Sequence, residues 1–155
     1  MIVVSDTSPI NYLVILGIVD ILPKLYETVI VPPEVIRELT ASRTPEIVRE
    51  WIATPPDWLK IVQNTGLVIN PRIDPGECAA IALAIELKPD HLAVDDSKAR
   101  IIAAEYNLEI IGTVGIIERA HKAGLLDLKT MLDALLQTNF RVSERLIQEV
   151  IDRNP

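Results

Sequence analysis

The sequence predicts an α/β protein, with a mostly parallel sheet and helices on both of its faces. Three observations carry that reading. The strand candidates are short and almost continuously apolar, as in Ile2-Val3-Val4 and Leu92-Ala93-Val94, the pattern of strands buried on both sides. A helical pattern follows each of them, and strand–helix alternation continues through most of the chain. The apolar fraction of 49% is dominated by Ile, Leu, Val and Ala, which argues against disorder.

The elements follow in order. Ile2–Ser5 reads as the first strand. Thr7 or Ser8 then caps a helix with Pro9 at its first position, and Ile10, Leu13, Val14 and Leu16 form its buried side up to Gly17. A short helix over Ile18–Leu25 leads to a strand at Thr28–Val31. Pro32-Pro33 stops that strand and starts a helix carrying Val35, Ile36, Glu38 and Leu39. Thr44-Pro45-Glu46 opens another helix, which runs to about Ala53. Past the Thr54–Pro56 break, Leu59–Val62 is a strand candidate, and Leu67–Ile69 an edge strand after the turn at Gly66. Asp74-Pro75-Gly76-Glu77 opens a helix over Glu77–Leu87. The strand His91–Val94 follows, then a helix from Ser97 to about Tyr106 and a short strand at Ile110-Ile111. Thr113 caps a helix ending at Gly124, with further helices at Leu128–Gln137 and Ser143–Asp152.

At 155 residues the chain suits one domain over 1–155, with 126–155 as a helical C-terminal extension; no repeat or long linker divides it. The formal charge of −7 excludes binding to nucleic acid by a broadly basic surface. A nucleic-acid role would therefore need metal at the phosphate, a local basic rim or a basic companion. A single cysteine, Cys78, excludes an internal disulfide and a sulfur-rich zinc site, and its apolar helix makes it a small core residue. Asp6 interrupts the opening apolar run and no basic segment precedes it, so no signal peptide is expected. No stretch reaches the ~18 apolar residues of a membrane span. A cytoplasmic protein is the expectation.

Chemistry is expected where strands end. In a parallel sheet, ligands collect beyond the carboxyl ends of the strands, and there Asp6, Asp95 and Asp96 would meet. Such carboxylates repel unless protons or a cation neutralise them, and oxygen-only ligands suit Mg²⁺ or Mn²⁺. Each acid also has a structural reading. Asp6 can cap the first helix, although Thr7 and Ser8 stand closer to its start. Asp95 and Asp96 can serve the dipole of the next helix, and Asp96 can pair with Arg100 at (i, i+4), although Ser97 already offers a cap. Glu77 has the spacing of a capping box with Asp74, and on spacing alone that reading wins. Glu38 is the reverse case: it follows Glu34 by four residues near a helix C-terminus, where neither neighbour favours an acid. Lys98, Arg100, Arg37 and Arg119 are candidate phosphate contacts, each equally readable as a surface charge. No Walker A sequence, dinucleotide fingerprint, or Ser–His or Cys–His motif is present, and His91 and His121 stand far apart.

The order of these acids carries a family resemblance. Asp6-Thr7-Ser8, Pro33-Glu34-Val35-Ile36-Arg37-Glu38-Leu39, Asp74-Pro75-Gly76-Glu77-Cys78-Ala79-Ala80, Leu92-Ala93-Val94-Asp95-Asp96-Ser97 and Gly112-Thr113-Val114-Gly115 succeed one another as in PIN-domain ribonucleases. The last of these segments is similar to a turn of their VapC-like prokaryotic branch. The resemblance covers most of residues 1–125 and implies a three-layer α/β/α fold. It further implies Mg²⁺- or Mn²⁺-dependent cleavage of single-stranded RNA by the toxin of a toxin–antitoxin pair, as a homodimer. Carried onto this chain, it names Asp6, Glu38, Glu77 and Asp96 as the site acids, with Asp95 adjacent and Ser8 and Asn11 as polar helpers orienting Asp6 or a water. The apolar residues Ile18, Ile21 and Leu25 are expected at the dimer surface. Two rivals share the fold: an inactive scaffold that binds protein, and a metal-dependent nuclease or phosphatase of another substrate.

Overall fold

The structure is a computed structural model and describes residues 1–66, 69 and 72–155. Among these residues, β1 (Ile2–Ser5), β2 (Thr28–Val31), β3 (Leu59–Ile61), β4 (His91–Ala93) and β5 (Ile110–Ile111) form one sheet in the order β3-β2-β1-β4-β5. Every pairing is parallel. Helices flank the sheet in a three-layer α/β/α arrangement, as the apolar runs and the alternation predicted. The edge strand expected at Leu67–Ile69 lies largely outside the described residues.

The helices are α1 (Thr7–Ile15), α2 (Ile21–Leu25), α3 (Pro33–Leu39), α4 (Glu46–Ala53), α5 (Pro75–Leu87), α6 (Ser97–Glu105), α7 (Thr113–Lys122), α8 (Leu128–Leu136) and α9 (Glu144–Asp152). Side-chain caps mark the starts of four of them. Asp74 and Glu77 form a full capping box at α5, while Asp96, Asp127 and Ser143 cap α6, α8 and α9 through their side chains. Three starts differ from expectation: the helix expected from Ile18 begins at Ile21, and two others shift. Helix α5 begins at Pro75, because the box satisfies its first amides, and α1 begins at Thr7, so Pro9 is the third helical residue. Ile21 was expected at a surface but is 7% exposed and belongs to the core.

The chain forms two compact units, Met1–Thr113 and Val114–Pro155. In the first, α5 is apolar nearly all round and buries Ala79 through Ala84, as a helix enclosed by protein must. With Val4, Ile30, Leu92, Val94, Ala99 and Ala103, its residues Ala80, Ile81, Leu83 and Ala84 make a continuous core, against which the half-buried Cys78 packs. Fully burying each large aliphatic side chain contributes about 1.5–3 kcal/mol. That sum lets the sheet carry unfavourable groups at its edge. In the second unit, α8 and α9 bury Leu128, Leu132, Leu135, Ile147 and Val150. No helix among the described residues is long and apolar enough to cross a membrane.

Candidate metal centre

The strand order locates the site. After β1 the chain builds outward through β2 and β3, then returns to lay β4 and β5 on the other side of β1. The carboxyl ends of β1 and β4 therefore flank a topological switch point, where open α/β sheets bind ligands. The Asp6 amide donates to Ala93 O at 2.9 Å and fastens the two ends together.

Asp6 occupies the N-cap position of α1 with an extended backbone, but its side chain caps nothing. It is 3% exposed, and its Oδ1 has no hydrogen-bond partner. The structural reading of Asp6 as a cap thus fails. An unpartnered buried carboxylate oxygen is costly unless something absent from the polypeptide completes it.

Glu38 and Asp74 bring their carboxylates to Asp6, and one oxygen from each of the three lies within 4.8 Å of the other two. Glu38 is held from two sides: the Thr7 hydroxyl donates to Oε1 at 2.7 Å and the Gly76 amide to Oε2 at 2.7 Å. The helix position that does not favour Glu38 locally is thereby explained by partners on α1 and α5. Asp74 accepts the Glu77 amide at 2.9 Å through Oδ1, and Glu77 Oε1 accepts the Asp74 amide at 3.2 Å. Glu77 is thus the capping-box glutamate that spacing indicated, while Asp74 joins the candidate metal-binding trio without having been singled out in the sequence. Capping accounted for Asp74 so fully that no signal remained in the sequence to mark a second role.

Electrostatics tie the remaining acids to this trio. Burial raises the Asp6 carboxyl well above the usual range; the Thr7 backbone opposes the shift, and Asp74, Glu77 and Glu38 add to it. Burial also raises Glu38, with Asp74 adding and the Thr7 and Gly76 hydrogen bonds and Arg43 opposing. Glu77, 7% exposed, is pushed up to about 7 by burial, then by the charges of Asp74 and Asp96. At the observed spacing, two ionised carboxylates repel by about 3–4 kcal/mol at an effective dielectric constant near 20. Asp74 is exposed, so water screens its two pairs further, while the pair of Asp6 with Glu38 keeps most of that cost. Protons or a cation must therefore accompany the cluster. All-oxygen donors with one orphaned buried oxygen fit Mg²⁺ or Mn²⁺.

Asp95 and Asp96, inseparable by sequence, part company here. Asp95 accepts from Ser8 Oγ at 2.8 Å, Thr113 N at 2.7 Å and Thr113 Oγ1 at 2.6 Å, so it braces the strand ends. Ser8 therefore orients Asp95, where the sequence reading had it orienting Asp6 or a water. Asp96 is exposed and caps α6 through Ala99 N at 3.0 Å. Asn11 is half-buried on α1; Lys98, Arg100 and Arg37 are exposed, and Arg119 is half-buried. His91 contacts the Tyr26 hydroxyl through Nδ1 at 2.7 Å, and His121 Nδ1 accepts the Leu128 amide at 3.2 Å.

Compared with known proteins, residues 2–154 match the family DUF3368, a PIN domain. The chain belongs to the PIN-domain family. No curated protein and no solved structure matches it. The PIN-domain assignment joins the expected sheet and a clustered acidic trio consistent with the metal-binding active site of a nuclease.

Proposed function

We propose that this PIN domain is a metal-dependent endoribonuclease that hydrolyses single-stranded RNA, acting in the cytoplasm as the VapC-like toxin of a toxin–antitoxin pair. The observation that carries the reading is the buried, unpartnered Oδ1 of Asp6, whose carboxylate clusters with those of Glu38 and Asp74 at the switch point. Asp6, Glu38 and Asp74 would hold the ion. Glu77 and Asp96 act at the rim, a role supported by the charge coupling of Glu77 to both Asp6 and Asp96. Asp95, fixed by Ser8 and Thr113, keeps the ends of β1 and β4 in register. When bound, Mg²⁺ or Mn²⁺ would supply the positive charge that neutralises phosphate oxygens and would lower the pKa of water, so that on losing a proton it becomes the nucleophile toward phosphorus. The residues' part is to fix that charge with Asp6, Glu38 and Asp74, while Glu77, whose carboxyl is pushed up to about 7, can take up a proton beside it. Lys98 and Arg100 are the proposed phosphate contacts. The whole of 1–155 is read as one PIN domain with 126–155 as its helical extension, working as a homodimer through the half-buried Ile18 and Leu25.

The acidic charge of −7 favours a second reading, a PIN-like scaffold that binds protein without cleaving RNA. One experiment separates them. Purified protein is incubated with a mixed RNA pool under EDTA, Mg²⁺ or Mn²⁺, beside Asp6→Asn. The nuclease reading expects metal-dependent fragments with 5′ phosphates from the wild type alone. Equal cleavage by both proteins would indicate contamination, and no cleavage under any metal would favour the scaffold.

A further inference from the structure

Glycine is a poor choice for the first turn of a helix, where its backbone freedom must be given up without any side-chain contact in return. Gly76 nevertheless stands second in α5, buried, at a position whose capping is already provided by Asp74 and Glu77. The reason lies across the site. A methyl group built on the Gly76 Cα would fall 2.6 Å from both Cδ and Oε1 of Glu38, and closer still to Oε2. Real carbon contacts do not reach such separations. The bare Cα lets the Glu38 carboxylate lie against the helix and accept the Gly76 amide at 2.7 Å, while Thr7 grips the other oxygen.

We infer that Gly76 and Thr7 are positioning residues, a two-point clamp that fixes the Glu38 carboxylate toward Asp6 and Asp74. The inference rests on the proposed metal site and adds what sets its geometry. What must move when residue 76 gains a side chain is the flexible end of Glu38, rather than backbone. An alanine therefore leaves the fold standing and displaces the acid. Outer partners that orient a ligand commonly govern metal affinity by ~10–100-fold. The clamp also joins three elements far apart in sequence, α1, α3 and α5, through one carboxylate.

The test is Mn²⁺ alone, titrated into the full chain and followed by the electron paramagnetic resonance signal of the free ion, with a thermal melt for each variant. Gly76→Ala is expected to weaken Mn²⁺ binding by ~10-fold or more with little change in melting temperature. Thr7→Val should weaken it similarly, and Thr7→Ser, which keeps the hydroxyl, should restore it. In a Glu38→Ala background the clash is gone. There Gly76→Ala should leave residual Mn²⁺ binding unchanged and the melting temperature unchanged or higher. Wild-type affinity in Gly76→Ala, or an equal loss with and without Glu38, would overturn the clamp. If Gly76→Ala did not fold, Thr7→Val against Thr7→Ser would decide it, with wild-type affinity in Thr7→Val overturning the clamp. A wild type that bound no Mn²⁺ would refute the metal reading itself, and the clamp as a metal-positioning device with it; the melting comparison across the two backgrounds would still report whether residue 76 acts through Glu38.

Discussion

Two buried acids of this chain, Glu118 on α7 and Asp6 at the end of β1, meet opposite surroundings. Glu118 is 7% exposed and accepts from Arg153 Nε and Nη2 at 2.8 and 2.7 Å and from Asn154 Nδ2 at 2.8 Å, with Lys122 Nζ at 3.4 Å. These partners hold its carboxyl down to about 2, the Arg153 hydrogen bond foremost. Asp6 is buried more deeply, yet it faces three other carboxylates and leaves one oxygen with no partner. The fold can thus supply a buried acid with a bidentate arginine and an amide, and does so where the acid fastens α7 to the chain's last residues. Where three strand and helix ends converge it supplies more acid instead. A carboxylate cluster around an orphaned buried oxygen, beside an acid that is fully paired, points to a site completed from outside.

The sharpest break of this contrast is Asp6→Asn. Removing one charge relieves the repulsion on Glu38, Asp74 and Glu77, so the metal-free variant should melt at or above the wild-type temperature. Metal-dependent RNA cleavage should fall by ~100-fold or more, since Asp6 is the most deeply buried of the three candidate ligands. Marked destabilisation with cleavage retained would mean that Asp6 is structural after all, and the comparison with Glu118 would collapse.

The same contrast was only partly legible in the amino-acid sequence. Apolar runs ending in Asp6 and in Asp95-Asp96 were sufficient for the parallel sheet and its acidic edge, because the two-sided burial of a strand is written locally. The capping box at Asp74 and Glu77 was legible for the same reason, being a four-residue motif. Glu38 could be flagged only as an acid in a poor helical position; its partners Thr7 and Gly76 lie 31 and 38 residues away. Asp74 as a member of the trio depends on α3 approaching α5, which no local pattern encodes. Asp95 and Asp96 could not be told apart, since the donors that separate them come from Ser8 and Thr113. The Glu118–Arg153 pair was invisible for a similar reason, since 35 residues divide its partners.

The second way to sharpen the comparison is pH, because Glu77, beside Asp6, and Glu118 impose slopes of opposite sign. Glu77 has a folded value of about 7 against an ordinary 4.5, so the folded protein keeps a proton that the unfolded chain releases. Its contribution is fully present below about pH 4.5 and is lost as pH rises through about 7. Allowing for solvent screening, the metal-free protein should lose about 1–2 kcal/mol between pH 5 and 8. Chemical denaturation across that range measures it, and saturating Mg²⁺ should flatten the slope by taking over from the proton. A loss unaffected by Mg²⁺ would separate Glu77 from the proposed ion.

The smallest expected effect belongs to the paired acid. Glu118→Gln keeps the shape and one acceptor oxygen but removes the charge that Arg153 grips, and an arginine half-exposed to water limits the loss. About 1 kcal/mol of stability at pH 7 should disappear, a fall of a few degrees in melting temperature. The sign of its pH dependence is the mirror image of Glu77. Because the folded value of Glu118 lies at about 2, below its ordinary 4.5, its stabilisation is complete above pH 4.5 and is lost as pH falls through about 2. Wild type and Glu118→Gln should therefore differ at neutral pH and converge in strong acid, while Mn²⁺ affinity at pH 7 stays the same in both. Identical melts at pH 7 would mean that solvent screening has erased the pair. The paired acid would then no longer serve as the stabilised counterpart to Asp6.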